Sequence, residues 1–341
     1  MRLAVVGQIL TIFDMQIIID TADTKITVKN KSFFIQNASV ERIISPKRLT
    51  SIAITSNCLL NTAAIKLAAQ NQVPILFFNN FGTIQARLWS PYFTNIADIR
   101  KKQMIFANSF HATDWVIRLL QIKTNEQIRT LRQLAKKRPQ HTQIIEHTVM
   151  QMNKIFVQTE DINQQTINKV RQRLMGYEGS ISRHYFSGLK LFMPTPFAFD
   201  KRSRRPAMDY FNSGLNYLYG MTYSIVESGV FAKGLDPFIG FLHVDFYKRT
   251  ALVFDLIEPI RPLIDRILVD LIMTEQLLPD HFIPKGQGYW LNKKGKRIII
   301  PSFNAYLQER IKIGHTVRRF KDHIYGESNL LGNHINEIIT L

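Results

Sequence analysis

Residues 236–266 read DPFIGFLHVDFYKRTALVFDLIEPIRPLIDR. Within these 31 residues lie one histidine, His243, and five acids: Asp236, Asp245, Asp255, Glu258 and Asp265. Most of the residues between them are apolar or aromatic. A carboxylate in such company is either exposed on one face or held by a cation. The local arginines Arg249, Arg261 and Arg266 are one supply of cations, and a metal ion is the other. Asp255 and Glu258 are three apart, so on a helix they share a face. Imidazole with carboxylates and no thiolates suits Mn or Mg and argues against a structural zinc. Salt bridges to the arginines account for the same pattern, and spacing does not choose between the two.

The prolines of this stretch bear on its shape. Pro259 and Pro262 have no N–H to return to the carbonyls of Asp255 and Glu258. Either a helix here is irregular at both acids, or a helix starts here with proline in its first turn.

Upstream, residues 1 to about 95 are expected to be β-rich. Short runs of β-branched and aromatic residues recur at Leu3–Val6, Gln16–Ile19, Lys25–Val28, Phe33–Gln36, Arg42–Ile44, Ser51–Thr55, Val73–Phe78 and Thr83–Trp89. Polar turns separate them, as at Asn30-Lys31-Ser32 and at 79–82. One short helix is expected over 61–70, where Ala63, Ala64, Leu67 and Ala68 recur at helical spacing. No cluster of acids and histidines occurs in this part, so its expected work is packing or dimerisation.

The pattern turns helical near 91–98 and stays so to about Leu191. Trp115, Leu119 and Ile122 share a stripe, and Lys136-Lys137-Arg138-Pro139 reads as a basic helix end with a proline stop. A further helix is expected over 161–190. Inside it Glu178 is bracketed by Gly176 and Gly179. Two glycines in a helix cost about 2 kcal/mol against alanine. That cost fits a place where something approaches the backbone closely; a solvated Glu beside a glycine-mediated helix contact is the plainer reading. Residues 193–208 form a loop with the run Lys201-Arg202-Ser203-Arg204-Arg205, a candidate phosphate-binding surface or a solvated charge run. Helix resumes over 209–226 and again through the opening stretch to Leu278. Gly286, Gly288 and Asn292-Lys293-Lys294-Gly295 suggest a hairpin with Tyr289–Leu291 and Arg297–Ile300 as its arms, and 303–324 are expected to form a basic helix.

The chain has 341 residues and a formal net charge of +18, an excess that favours a polyanionic partner. Residues 1–97 carry 9 Lys+Arg and 4 Asp+Glu, and the other 244 residues carry +13, so charge alone locates no nucleic-acid face. A single cysteine, Cys58, excludes an internal disulfide framework and points to a reducing, cytoplasmic setting. The longest uncharged run, 67–86, contains Gln, Asn and Pro74 and does not read as a membrane span.

Several motifs together resemble a known family. They are Gly-Tyr-Glu-Gly at 176–179 with Ser182-Arg183 and Tyr185-Phe186, Asn212 with Tyr217, the run from Leu235 to His243, and the run from Phe254 to Arg266. In this order they are similar to the Cas1 family, the CRISPR-associated integrase and endonuclease of the spacer-acquisition (adaptation) module. The resemblance covers nearly the whole chain. It implies an α+β plan, with a small β-rich dimerisation domain at 1–95 and a larger, mainly α-helical catalytic domain at 96–341.

The resemblance further implies that Glu178, His243 and Glu258 bind Mg2+ or Mn2+, with Asp255 supporting or sharing that role. The implied reaction inserts short foreign DNA into a CRISPR array by 3′-hydroxyl attack on a phosphodiester. The implied partners are double-stranded DNA (prespacer and repeat), a second copy of the chain and Cas2, with no membrane. Lys201, Arg202, Arg204, Arg205, Lys248 and Arg249 are the expected phosphate contacts. One departure is visible: many members have a Gly-Arg pair between the histidine and the first acid, where this chain has Lys248-Arg249. A basic non-catalytic DNA-binding scaffold and a metal-dependent nuclease unrelated to adaptation are the alternatives.

Overall fold

The computed structural model describes residues 15–78, 84–88, 90, 96–162, 164–243 and 250–340. The chain divides into two compact units, Met1–Ser90 and Pro91–Leu341. Strands precede helices, so the class is α+β as the sequence indicates. The expected strand at Leu3–Val6 and the turn at 79–82 lie outside the described residues.

The first unit contains β1 (Met15–Ile19), β2 (Thr24–Lys29), β3 (Ser32–Gln36), β4 (Glu41–Ile44), β5 (Leu49–Ile54), β6 (Cys58–Leu60), α1 (Thr62–Gln70), β7 (Ile75–Phe78) and β8 (Ile84–Leu88). They form two four-stranded sheets, in the orders β1-β5-β7-β8 and β4-β3-β2-β6. In β3, Phe33 and Ile35 point inward, the two-residue alternation of a strand with one buried face. The β2–β3 hairpin turns at Asn30 and Lys31, both with positive φ (52° and 55°), which is the geometry a two-residue hairpin favours. The side chain of Asn61 caps α1 by accepting from the N–H of Ala64 at 2.8 Å. Ile26, Phe33, Ile52, Ala64 and Ile75 make the centre of the core. The short β6, which pairs with β2, has no clear signature in the sequence.

The second unit is built on α2 (Ile96–Phe106), α3 (Phe110–Lys137), α4 (Thr142–Val157), α5 (Ile167–Leu189) and α6 (Tyr210–Ala232). They are followed by α7 (Ala251–Leu256) and α8 (Arg261–Met273). The 28-residue α3 lies against α4, α5 and α8, while α6 lies against α7 and α8. As expected, α3 ends at Lys137 just before Pro139. The prolines decide the form of the opening stretch. Helix stops at Leu256 and restarts at Arg261 with Pro262 in the first turn, which leaves Glu258 on the turn between.

The C-terminal end departs from expectation. Tyr289–Leu291 does lie in a hairpin arm, β10 (Gly288–Leu291), but its partner is β9 (Phe282–Lys285). Arg297–Ile300 lie instead in α9 (Lys293–Tyr306). Asn292 explains the difference: its side chain accepts from the N–H of Gly295 at 3.1 Å, so Asn292–Gly295 starts a helix and does not close a hairpin. The expected basic helix at 303–324 is interrupted by a second hairpin, β11 (Arg310–Ile313) and β12 (Thr316–Arg319), turned at Gly314 with φ +57°. The final α10 (Phe320–Ile338) packs on α6 and α2. Among the described residues no helix is long and apolar enough to cross a membrane.

Candidate active site

Three elements meet around one ammonium group. Lys123 is on α3, four residues after Leu119 on the buried stripe, and its side chain is 5% exposed. Its Nζ donates to Oε1 of Glu178 on α5 and, at 2.6 Å, to Oε2 of Glu258 on the α7–α8 turn. The hydroxyl of Ser182, one turn along α5, donates to the same Glu178 oxygen at 2.8 Å. Nη1 of Arg261 lies 3.2 Å from the other oxygen of Glu258, as an ion pair without the alignment of a hydrogen bond. A second nitrogen of Arg261 donates to the hydroxyl of Tyr223 at 2.9 Å.

A separate acid organises the histidine. Asp255 accepts from the backbone N–H groups of Phe241 (2.6 Å), Leu242 (3.2 Å) and His243 (2.9 Å). Its Oδ1 is also 2.8 Å from Nδ1 of His243. Each carboxylate oxygen of Asp255 is therefore already engaged twice. A proton on Nδ1 shared with Asp255 leaves Nε2 as the ligating nitrogen, and among the described residues Nε2 has no hydrogen-bond partner. The loop is tight: a Cβ on Gly240 would stand 2.5 Å from the carbonyl oxygen of His243. Glycine is thus required where the chain folds back beneath the imidazole.

Charge follows geometry. Burial alone would raise the Glu178 carboxyl, but Lys123, Arg261 and the Ser182 hydrogen bond outweigh it and hold Glu178 at about 2. Glu258 is also lowered; burial opposes this, and Arg261 and Lys123 prevail. Burial pulls His243 down, yet its hydrogen bond and charge interaction with Asp255 leave it raised, and Glu258 adds to the effect. Two carboxylates and two permanent cations thus share one buried cluster.

Glu178 and Glu258 come together as the sequence reading requires, and His243 sits within the field of Glu258. Among the described residues, however, no three His, Cys, Asp or Glu side chains form a ready-made metal cluster. The donor set, two carboxylates gripping a cation and one oriented imidazole, fits a divalent ion of the Mg2+ or Mn2+ type. The arginine alternative is partly realised: Arg261 pairs with Glu258, while Arg266 turns to Glu126 on α3 at 2.6 Å.

Glu178 is half-buried and held by Lys123 and Ser182, and a Cβ at Gly176 or Gly179 would meet no described atom within 4 Å. Among the described residues no helix contact explains those glycines; they border open space. Sequence reasoning missed Lys123. The available signal was a lysine in register with the apolar stripe of α3, a position a solvated lysine does not take.

The basic loop is divided in its roles. Arg202 turns inward and donates to Asn212 at 2.5 Å and Asn216 at 2.6 Å, both on α6, and lies over the ring of Tyr219. Its guanidinium is thus engaged within the protein, whereas a phosphate contact is expected to face outward. Asn212 and Asn216 also donate to the carbonyls of Lys201 and Arg204, at 2.9 and 2.8 Å, so α6 pins the loop. Lys201, Arg204 and Arg205 reach the surface. Lys248 and Arg249 lie outside the described residues, as does Asp245. The basic positions 310, 312, 318 and 319 belong to the β11–β12 hairpin, not to a helix.

Residues 17–305 match the family model described as CRISPR associated protein Cas1. A CRISPR-associated endonuclease Cas1 of Archaeoglobus fulgidus is 27% identical over 308 residues, covering 87% of this chain and 89% of the relative. A CRISPR-associated protein Cas1 of Methanobrevibacter ruminantium is 29% identical over 269 residues, covering 78% and 80%. Among solved structures, a Cas1 protein from Thermotoga maritima superposes with a TM-score of 0.76 at 20% identity, over 94% of this chain and 97% of the other. A casposase bound to its integration product gives 0.80 at 19% identity, over 96% and 92%. A Cas6-RT-Cas1–Cas2 complex gives 0.76 at 21% identity, over 97% of this chain and 36% of that one. At such identities the structural likeness speaks for the fold.

Proposed function

The chain belongs to the CRISPR-associated Cas1 family, and from that premise we propose that it is a metal-dependent DNA integrase and endonuclease of spacer acquisition. The observation that carries this reading is the grip of Glu178 and Glu258 on one cation beside an imidazole whose Nδ1 is already committed to Asp255. Glu178, Glu258 and Nε2 of His243 would hold Mg2+ or Mn2+. When bound, that ion supplies positive charge to the phosphoryl oxygens and lowers the pKa of the attacking hydroxyl.

The chain's own residues do the remaining work. Asp255 fixes the ring orientation and tautomer of His243, as acids hydrogen-bonded to ligating imidazoles do. Arg261, held by Tyr223, keeps Glu258 ionised and presents positive charge to an incoming phosphate. The open space over Gly176 and Gly179 leaves room for a DNA backbone beside Glu178. No protein nucleophile takes part. A bond forms between the 3′-oxygen of the incoming strand and the target phosphorus, and the target's own 3′-oxygen leaves.

The surface residues Lys201, Arg204 and Arg205 are suited to hold DNA phosphates at a distance from the reaction, each with a salt-dependent share of affinity. The β-rich domain, which has no chemistry of its own, is assigned to homodimerisation, with Cas2 bridging two such dimers. The Cas1–Cas2 assembly among the structural likenesses supports that partner. The test is integration of a short duplex into a plasmid carrying a CRISPR repeat, with and without Cas2 and with and without EDTA. Integration dependent on Cas2 and abolished by EDTA is expected. Metal-dependent cleavage without joining at the repeat would assign the chain to a nuclease of other purpose, and binding with neither reaction to a scaffold.

A further inference from the structure

The metal reading gives no role to Lys123, yet Lys123 occupies the centre of the site. Its ammonium stands between Glu178 and Glu258, where a cation shared by the two carboxylates belongs. Arg261 matches the second oxygen of Glu258. Two acids are thus neutralised by two permanent cations before any metal arrives. A divalent ion added to these two pairs would give them an excess of two positive charges, of which the neighbouring Asp255 offsets one, and a net positive charge in a buried setting is costly. A backbone phosphate supplies negative charge from outside.

The two cations differ in freedom. Arg261 is fixed by the hydroxyl of Tyr223 and lies over the ring of Tyr219. Lys123 bonds only the two acids among the described residues, and it stands at the end of a flexible four-carbon stem. An entering phosphate therefore has one cation it can draw off the carboxylates.

We propose that Lys123 is a resident counter-ion that couples metal uptake to DNA: the free protein holds divalent metal weakly, and a DNA phosphate draws the ammonium away and completes the ligand set. Lys123 is on this account a positioning residue. The inference rests on the metal reading of Glu178, His243 and Glu258.

The experiment titrates Mn2+ into wild type, Lys123→Met and Lys123→Arg, following unbound Mn2+ by electron paramagnetic resonance. Each protein is measured alone and with a short DNA duplex, with a duplex-only blank. Without DNA, Lys123→Met is expected to bind Mn2+ at least about tenfold more tightly than wild type, and Lys123→Arg no more tightly. The duplex should tighten wild type by about tenfold or more and Lys123→Met by less. Melting of the same proteins provides an independent reading. Lys123→Met should melt below wild type without metal and recover with Mn2+; a variant that Mn2+ leaves unchanged overturns the proposal. Wild type that binds Mn2+ as tightly without DNA as with it overturns the coupling while the metal site stands. No Mn2+ binding by any protein, with or without DNA, removes the metal site and the coupling together.

Discussion

Glu258, on the turn before α8, and Asp265, within α8, lie seven residues apart, each about 1% exposed, and they have opposite electrostatic fates. Glu258 has Lys123 and Arg261 beside it and stays well inside the ionised range. Asp265 has no ion-pair partner among the described residues. It accepts from the hydroxyl of Tyr219 at 2.7 Å, and burial pushes it up to about 6. The surroundings differ too. Glu178 and His243, next to Glu258, keep 20% and 23% of their side chains exposed, while the tyrosines at Asp265 are buried. A buried acid becomes a candidate for chemistry when it has cations and an outlet. Without them it is a fixed point of packing.

The sharpest way to break this comparison is to remove ligands from the first region. Glu258→Gln or His243→Ala should lower strand transfer by about a hundredfold or more, since one positioned charge on the transferring phosphate has no substitute. DNA affinity, distributed over many lysines and arginines, should stay within about twofold. A variant that transfers strands at the normal rate would falsify the role given to its residue.

Stability should separate the two acids next. Glu258→Gln leaves Lys123 and Arg261 short of a buried counter-charge and is expected to cost about 3 kcal/mol, read as a lower melting temperature. Asp265→Asn keeps an acceptor for Tyr219 and should cost no more than about 1 kcal/mol at neutral pH. Equal losses would erase the distinction.

The pH dependences of Asp265 and Glu178 should run in opposite directions. The folded pKa of Asp265, about 6, lies above its ordinary 3.8, so the folded state binds the extra proton. Its contribution to stability is fully present below 3.8 and is lost as pH rises through about 6. Glu178, held at about 2 against an ordinary 4.5, contributes stability above 4.5 that is lost as pH falls through about 2. Denaturant melts of Asp265→Asn and wild type between pH 4 and 7 check the first: the variant should lose the decline that wild type shows.

The arrangement around these acids was unevenly legible in the sequence. The strands of the first unit other than β6, α1 with its Asn61 cap and the proline stop after α3 follow from local rules that act within a few residues. The pairing of Glu178 with Glu258 was legible only through family resemblance, because about 80 intervening residues leave no periodic trace. Lys123 and the inward turn of Arg202 were hidden for another reason. Charge runs and apolar stripes give composition on a face, not which long side chain finds a buried partner. Asn292 misled because asparagine serves turns and helix caps alike.

The smallest expected effect concerns the loop. Replacing Lys201, Arg204 and Arg205 together with Ala should reduce the slope of log affinity against log salt by about 2.7, or about 0.9 for each phosphate no longer neutralised. Arg202→Ala should leave that slope unchanged and lower the melting temperature instead, since its partners are Asn212, Asn216 and the ring of Tyr219. A reversed pattern would return Arg202 to the DNA surface.

The central claim, that Glu178, His243 and Glu258 ligate one divalent ion while Asp255 only orients the imidazole, is tested most directly by anomalous scattering from Mn2+ in crystals of the DNA complex. The account predicts a single peak within ligand distance of a carboxylate oxygen of Glu178, Nε2 of His243 and a carboxylate oxygen of Glu258, with Asp255 still on the N–H groups of Phe241, Leu242 and His243. A peak coordinated by Asp255, or Mn2+ bound away from these three residues, would contradict it.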